Sequence, residues 1–362
     1  MELAGQAFDA IVRNSPDLAR EVFGETDDQR RWRATVRVGG LLHDVGHAPF
    51  SHAADALFTG DVQNHEEMTS AMIRAPSIQT IITNKGPFRL DPSEVAYVAS
   101  DLGEQASRAA LVAKELITGD LGVDRMDYLR RDSLMCGVSY GLFDLPRMVQ
   151  TLMLARSDDG DVALALEQGG MYAAEGLLTA RYFMFSQVYY HDIRVAYDEH
   201  LLRFLRRVLP DAQYPDNPAG YLEWDDVRVL GLAKGASDDP DADAILRRKH
   251  YRRVYELSPA ELGLGLGLVE RLKAELDRAY GTRAFVVDSR KSTRSLGLGQ
   301  ILVVDTDTGQ TEDLLKRSTT LEAFKPIWLV RIYASHDDRT DVLTSVKAIL
   351  AEATERKEPI DG

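Results

Sequence analysis

The stretch that decides the fold is Leu41-Leu42-His43-Asp44-Val45-Gly46-His47-Ala48-Pro49-Phe50-Ser51-His52. It places three histidines and an aspartate within ten positions, in a chain that has only eight histidines in all. His43 and Asp44 are adjacent, so at a helix end or tight turn they offer an imidazole nitrogen and a carboxylate oxygen to one cation. Such a mixed donor set suits Mn, Fe, Co, Ni or Zn and, with enough carboxylate and water, Mg. His47 follows His43 by one helical turn on the same face. Gly46 permits close approach of the backbone, and Pro49 ends any helix soon afterwards. The plain alternative is a histidine-rich turn whose side chains are satisfied locally. The density of histidine argues against it.

With 362 residues the chain has room for one large domain and a smaller one. Its 44% hydrophobic and 28% charged residues describe an ordinary globular protein rather than a disordered one. The balance of 43 basic against 57 acidic residues, a net −14, argues against a broad duplex-nucleic-acid surface. It leaves room for a local basic pocket around an anionic ligand. The single cysteine, Cys136, rules out an intrachain disulfide and fits a reducing cytoplasm. No apolar run approaches the roughly 18–20 residues of a membrane span. The first residues form no signal peptide, so the expectation is a soluble cytoplasmic protein without a membrane partner.

Around the histidine stretch, Leu3, Ala4, Phe8, Ile11 and Val12 recur at helical spacing from the first turn, as in a helix entered in its middle. Ser15-Pro16-Asp17 breaks it. A second helix over 27–42, with Trp32, Val36 and Val38 partly inward, delivers His43 and Asp44. Asn64-His65-Glu66-Glu67-Met68 reads as a helix start, its glutamates near the positive end of the dipole. A neutral histidine there is a competent general base, and its protonated form can serve a leaving oxygen. Helices are expected over 73–105, with a break at Pro87–Pro92. In Gly119 to Asp132, the residues Asp124, Asp127, Tyr128 and Arg131 fall near one helical face. That face could gather a metal carboxylate, a guanidinium and an aromatic hydroxyl, or be a solvated ion-pair helix.

Residues 169–205 read as a long helical stretch whose aromatics are mostly core. Pro210–Pro218 is a polar linker. The segment 225–257 reads as helical, interrupted by the acidic run 237–241. Arg247 to Arg253 is a basic knot, either a phosphate or effector contact or a solvated face. Strands are expected at 284–287, 301–304 and 327–333, and a last helix over 341–355. The fold class is therefore mainly α: a helical core over 1–209, a helical extension over 210–280 and a small α/β lobe over 281–362.

His43-Asp44-Val45-Gly46-His47-Ala48-Pro49-Phe50-Ser51-His52 resembles the HD-x-GH-x-PFSH signature of HD-superfamily phosphohydrolases. Within them it looks most like the deoxynucleoside triphosphate triphosphohydrolases of the bacterial and sterile-alpha-motif/HD types. Asp120 through Asp132, in the order D-x-x-x-D-R-x-D-Y-x-x-R-D and followed by Gly137-Val138-Ser139-Tyr140-Gly141, is similar to the family's second signature. The resemblance implies an HD-type helical core and a divalent metal ion held by His43, Asp44 and Asp124. It implies hydrolysis of a nucleoside triphosphate, a dNTP, to deoxynucleoside and triphosphate.

By the same resemblance His65, with Glu66 beside it, stands at a catalytic histidine, and His47 shares the proton. His52 belongs in the nucleotide pocket. Arg125, at a position often lysine, and Arg181 contact phosphate; Tyr128 and Asp132 line the pocket, Tyr128 near the sugar and Asp132 near sugar or phosphate. Tyr189, eight residues after Arg181, faces the nucleotide. Tyr190 stands where the sterile-alpha-motif/HD enzyme has a base-contacting glutamine, so base preference does not transfer. Family members commonly form homo-oligomers. The family also carries an upstream histidine ligand in an R-x-x-H-S-L-G motif, whereas no histidine precedes His43 here. The expectation is an N-terminally shortened chain with three protein ligands where four are usual, and with weakened metal binding and activity. The alternatives are an HD phosphodiesterase or nucleotidase on another nucleotide, and a catalytically impaired nucleotide-binding regulatory protein.

Overall fold

The computed structural model describes residues 1–100, 107–236, 238–291 and 301–355, with Arg290 and Lys291 described by their backbone only. The end of the expected helical stretch, 101–105, and Ser237 of the acidic run lie outside the described residues. The fold is mainly α, with two small sheets. Among the described residues no helix is long and apolar enough to cross a membrane.

The chain forms two compact units that interleave along the sequence. The first comprises Met1–Phe185, Gln213–Asp226 and Thr293–Phe324; the second comprises Ser186–Ala212, Val227–Ser292 and Lys325–Gly362. Two later segments, Gln213–Asp226 and Thr293–Phe324, thus return to the first unit.

The first unit opens with α1 (Glu2–Asn14), α2 (Pro16–Phe23) and α3 (Thr26–Leu42). Ala4, Ala7, Phe8 and Ile11 form the buried stripe of α1, spaced for one helical face. Phe8 meets Phe23 of α2 edge-to-face at 5.0 Å, and Phe23 lies 5.9 Å from Trp32 of α3. Burying each such ring contributes about 1.5–3 kcal/mol. Pro16 occupies the first turn of α2, where its missing N–H costs nothing. Asp27 and Asp28 lie in the first turn of α3, suited to its dipole.

There follow α4 (His65–Arg74), α5 (Pro76–Asn84), α6 (Pro92–Ser100), α7 (Arg108–Thr118), α8 (Val123–Cys136) and α9 (Leu145–Thr151). Residues Val95 to Ser100 of α6 are all buried, which makes it the central helix against α3, α4 and α7. A hairpin of β1 (Leu152–Arg156) and β2 (Val162–Glu167) comes next, before α10 (Met171–Met184). The hairpin was not expected from sequence. Gly160, at φ 82°, closes it, and Ser157 N–H donates to Asp161 O at 2.8 Å.

In the second unit α11 (Asp192–Val208), α12 (Asp226–Gly235, all but its first residue) and α13 (Pro240–Arg247) precede β3 (Arg252–Glu256). The helix expected over 225–257 is thus corrected: it ends at Arg247, where Arg248 turns left-handed at φ 57°. β3 owes its conformation to a partner distant in sequence. Next come α14 (Leu266–Tyr280) and β4 (Ala284–Lys291). β5 (Leu302–Val304) and β6 (Thr311–Asp313) belong to the first unit, where β5 runs parallel to β2 and gives the order β1-β2-β5-β6. β7 (Ile327–Ala334) pairs antiparallel with both β3 and β4, and α15 (Arg339–Glu355) ends the described chain. Leu268, Val269 and Leu272 of α14, Val330 and Ile332 of β7, and Val342 and Val346 of α15 share one buried core.

Candidate active site

The site begins where α3 stops. His43 caps that helix, and the chain turns, with Val45 N–H donating to Leu42 O at 3.0 Å and His47 N–H to Asp44 O at 3.1 Å. Gly46 is obligatory in this turn. A Cβ there would lie 2.3 Å from Thr69 N and 2.4 Å from His65 O, so only glycine lets the turn lie on the start of α4. Thr69 fastens the contact: its hydroxyl accepts from Gly46 N–H at 3.0 Å and donates to His43 O at 3.2 Å. The Tyr221 hydroxyl donates to Gly46 O at 2.8 Å. Phe50 and Ser51 both take left-handed backbone, at φ 59° and 61°, and Phe50 N–H is held by Asp226 at 3.0 Å. Left-handed geometry at non-glycine residues costs on the order of 1 kcal/mol each, and it redirects the chain so that His52 turns back toward His47.

His43, Asp44 and Asp124 each direct a ligand atom into one cluster whose atoms lie within 4.8 Å of one another. His43 Nε2 stands 2.8 Å from Asp124 Oδ1 and 3.3 Å from Asp44 Oδ2. Burial disfavours the His43 imidazolium, yet the hydrogen bond to Asp124 and the two carboxylate charges outweigh it and raise its pKa. Burial likewise pushes the Asp44 carboxyl up, but the hydrogen bond from His47 and the charges of His43, His47 and His65 pull it lower overall. One imidazole between two carboxylates leaves a centre that attracts positive charge. Its nitrogen and oxygen donors fit a divalent cation. A cavity of about 710 Å³ opens beside this centre, with His43, Asp124, Leu3, Ile117, Met126 and Leu142 among its walls.

A second group adjoins the first. His47 and His65 stack at 4.1 Å with rings 15° apart, and His52 meets them edge-on at 4.5 and 5.1 Å. Asp55 ties them together: its Oδ2 lies 2.9 Å from His52 Nδ1 and 3.4 Å from His65 Nδ1. Burial opposes a charged His65, but the Asp55 hydrogen bond and the charges of Asp55, Glu66 and Asp44 raise its pKa. Asp55 is held well below the usual carboxylate range: burial pushes it up, and the hydrogen bonds from His52 and His65 more than reverse that. His47 links the groups, with Nε2 3.4 Å from Asp44 Oδ1. Glu66 is exposed in the first turn of α4 and reaches His65 through its charge.

A third group gathers on α8 and α10. Arg125 Nη1 donates to Asp120 Oδ1, and Arg181 Nη1 lies 4.0 Å from the same oxygen. Arg181 is only 4% exposed, it reaches the Tyr128 hydroxyl, and its Nε and Nη1 have no hydrogen-bond partner among the described residues. Burial raises the Tyr128 pKa against the pull of Arg181 and Arg125. The charged face expected on α8 divides in two. Asp124 and Tyr128 turn inward, whereas Asp127 and Arg131 pair with each other in solvent. Asp132 is half-buried on the same helix. Tyr189 lies in the second unit, in the π-helical turn Phe185–Tyr189.

Sequence reasoning missed Asp55, Thr69 and Tyr221, and gave no role to Asp120, the first residue of the second signature. Asp55 follows His52 by three residues within one short helix, a spacing that pairs acid with base. Tyr221 had no local signal.

Two family models match the chain: the HD domain over residues 17–132 and the HD associated region over residues 143–357. The chain is 32% identical over 197 residues to the uncharacterized protein YwfO of Bacillus subtilis, covering 54% of this chain and 42% of that one. It is 28% identical over 199 residues to the deoxynucleoside triphosphate triphosphohydrolase SAMHD1 homolog of Dictyostelium discoideum, covering 53% and 35%. The chain thus spans under half the length of either relative. Among solved structures it resembles a hypothetical protein from Aquifex aeolicus, with TM-score 0.74 and 26% identity over 95% of this chain and 86% of that one. Since the HD associated region alone accounts for more than half of its residues, the chain belongs to the HD-domain superfamily.

Proposed function

We propose that this protein is a metal-dependent phosphohydrolase that cleaves deoxynucleoside triphosphates to deoxynucleoside and triphosphate. The observation that carries the reading is convergence. Three metal-ligand side chains, a histidine–aspartate proton pair and two half-buried or buried arginines lie within one compact unit. His43, Asp44 and Asp124 would hold the cation, which when bound supplies Lewis-acid polarisation of a phosphoryl oxygen and acidifies water.

The chain's own residues then do three things. Arg181, with two buried nitrogens that lack acceptors among the described residues, and Arg125 neutralise the phosphate chain. His65, with Nδ1 3.4 Å from the Asp55 carboxylate, presents its ring as a proton carrier. His47, stacked on it and reaching Asp44, relays or shares that proton. In the reaction a water oxygen bonds to the α-phosphorus and the bond to the 5′ oxygen breaks. One proton leaves the water and one reaches the 5′ oxygen. His52, Tyr128 and Asp132 are assigned to the nucleotide by the family resemblance. The dNTPase relative from Dictyostelium supports the substrate class.

The test is to incubate the protein with each dNTP and each of several divalent metals and to follow triphosphate release. Metal-dependent release of triphosphate is the expected result. Release of pyrophosphate or monophosphate would reassign the substrate class, and no turnover with bound nucleotide would favour a regulatory protein.

A further inference from the structure

Arg125 and Arg181 come from different helices yet converge on one side chain, and that side chain is neither a metal ligand nor a proton carrier in the reading above. The side chain of Asp120 is 12% exposed, against 16% for the side chain of Arg125 and 5% for that of Arg181. Its backbone is fixed by a tight turn in which Gly122 N–H donates to Gly119 O at 2.9 Å. Both glycines are required: a Cβ on Gly119 would lie 2.2 Å from Glu115 O, and one on Gly122 would lie 2.4 Å from Ile117 O. The carboxylate therefore stays where the turn puts it.

We propose that Asp120 is a positioning residue, the shared counter-ion that aims Arg125 and Arg181 at the phosphate chain. The proposal rests on the phosphohydrolase reading. Two like-charged guanidinium groups held this close, in a poorly solvated place, repel each other and seek other partners. One carboxylate between them offsets that repulsion and leaves a net positive charge for the ligand. The division of contacts fits the role. Arg125 donates a direct hydrogen bond to the Asp120 oxygen, whereas Arg181 stands 4.0 Å off, beyond hydrogen-bond reach. Arg181 Nε and Nη1 thus remain for an incoming acceptor. Tyr128 steadies the same guanidinium from α8.

The test uses the full chain freed of metal by a chelator, with inorganic tripolyphosphate as the probe in isothermal titration. Wild type is expected to bind, and Asp120→Asn to bind about 10-fold more weakly, the size of one charge-assisted contact. Asp120→Glu keeps the charge but displaces it by a methylene and is expected to lose about 3-fold. It serves as the deciding variant should Asp120→Asn fail to fold. In an Arg125→Ala background the cost of Asp120→Asn is expected to shrink below about 3-fold, because the effect passes through that arginine. A merely structural role would give losses that multiply. Wild-type affinity in Asp120→Asn or Asp120→Glu, or multiplying losses in the double variant, overturns the role of Asp120 alone. Failure of the wild type to bind tripolyphosphate overturns the phosphate-site reading and this proposal with it.

Discussion

Two histidine–aspartate pairs, one in each unit, have nearly the same length and opposite meanings. In the second unit His200 Nδ1 lies 2.7 Å from Asp241 Oδ1, and the histidine is 1% exposed. Its Nε2 accepts from Tyr251 N–H at 3.0 Å, so Nδ1 carries the hydrogen and donates to the carboxylate. The other Asp241 oxygen takes a bond from Arg207 at 2.6 Å. Every polar atom of that pair has a partner, which makes it a pin. In the first unit His43 Nε2 lies 2.8 Å from Asp124 Oδ1, but Asp44 crowds the same nitrogen with its side chain 55% exposed. Two carboxylates there face one ring nitrogen, which can offer its proton to only one of them. The difference between pin and site lies in what surrounds the pair, since its length is nearly the same in both.

Removing one side chain at the site and one from the pin separates them most strongly. Asp44→Ala is expected to lower turnover by more than about 100-fold, beyond what losses outside the ligand shell cost. Helical content by circular dichroism should stay unchanged, because Asp44 is more than half exposed. His200→Ala should do the reverse. It strands Tyr251 N–H and one Asp241 oxygen in the interior and should cost about 3 kcal/mol in urea unfolding, the low end for breaking a buried pair. Its metal affinity should stay at the wild-type level.

The fold was legible where pattern is local. The α1 stripe, the end of α3 at His43 and the strands β4 and β7 all follow from periodicity within a few residues. The β1–β2 hairpin was not, because Leu152 to Leu154 and Val162 to Leu166 are rich in leucine and alanine, which carry no strand preference. β3 was hidden for another reason: its basic residues look like a helix face until β7, some 75 residues later, supplies the edge. In the site, side chains next to the motif announced themselves. Tyr221, which reaches back 175 residues to Gly46, could not.

The arginines sharpen the comparison at smaller scale. Arg181→Ala and Arg125→Ala should each weaken dNTP binding or turnover about 10-fold, the effect of a charge-assisted contact worth about 1.5–3 kcal/mol. Arg207→Ala, at the pin, should leave both unchanged; Michaelis–Menten kinetics with all three variants checks this.

The smallest expected effect is of pH on the pin. Burial pushes the Asp241 carboxyl up, but hydrogen bonds from His200 and Arg207 reverse this, so its folded pKa is lowered. A lowered folded pKa means its stabilisation is complete above the unfolded value of about 3.9 and is lost as pH falls through the folded one. The stability gap between wild type and Asp241→Asn should therefore be constant above about pH 5 and narrow below pH 4. A gap that widens on acidification would reverse the sign of this argument.

The most direct measurement is metal content after equilibration with Mn²⁺ and gel filtration, on wild type, Asp44→Ala and His200→Ala side by side. Bound metal in wild type and His200→Ala, and none in Asp44→Ala, is the predicted result. Metal retained by Asp44→Ala, or lost from His200→Ala while the protein stays folded, would contradict the assignment of site and pin.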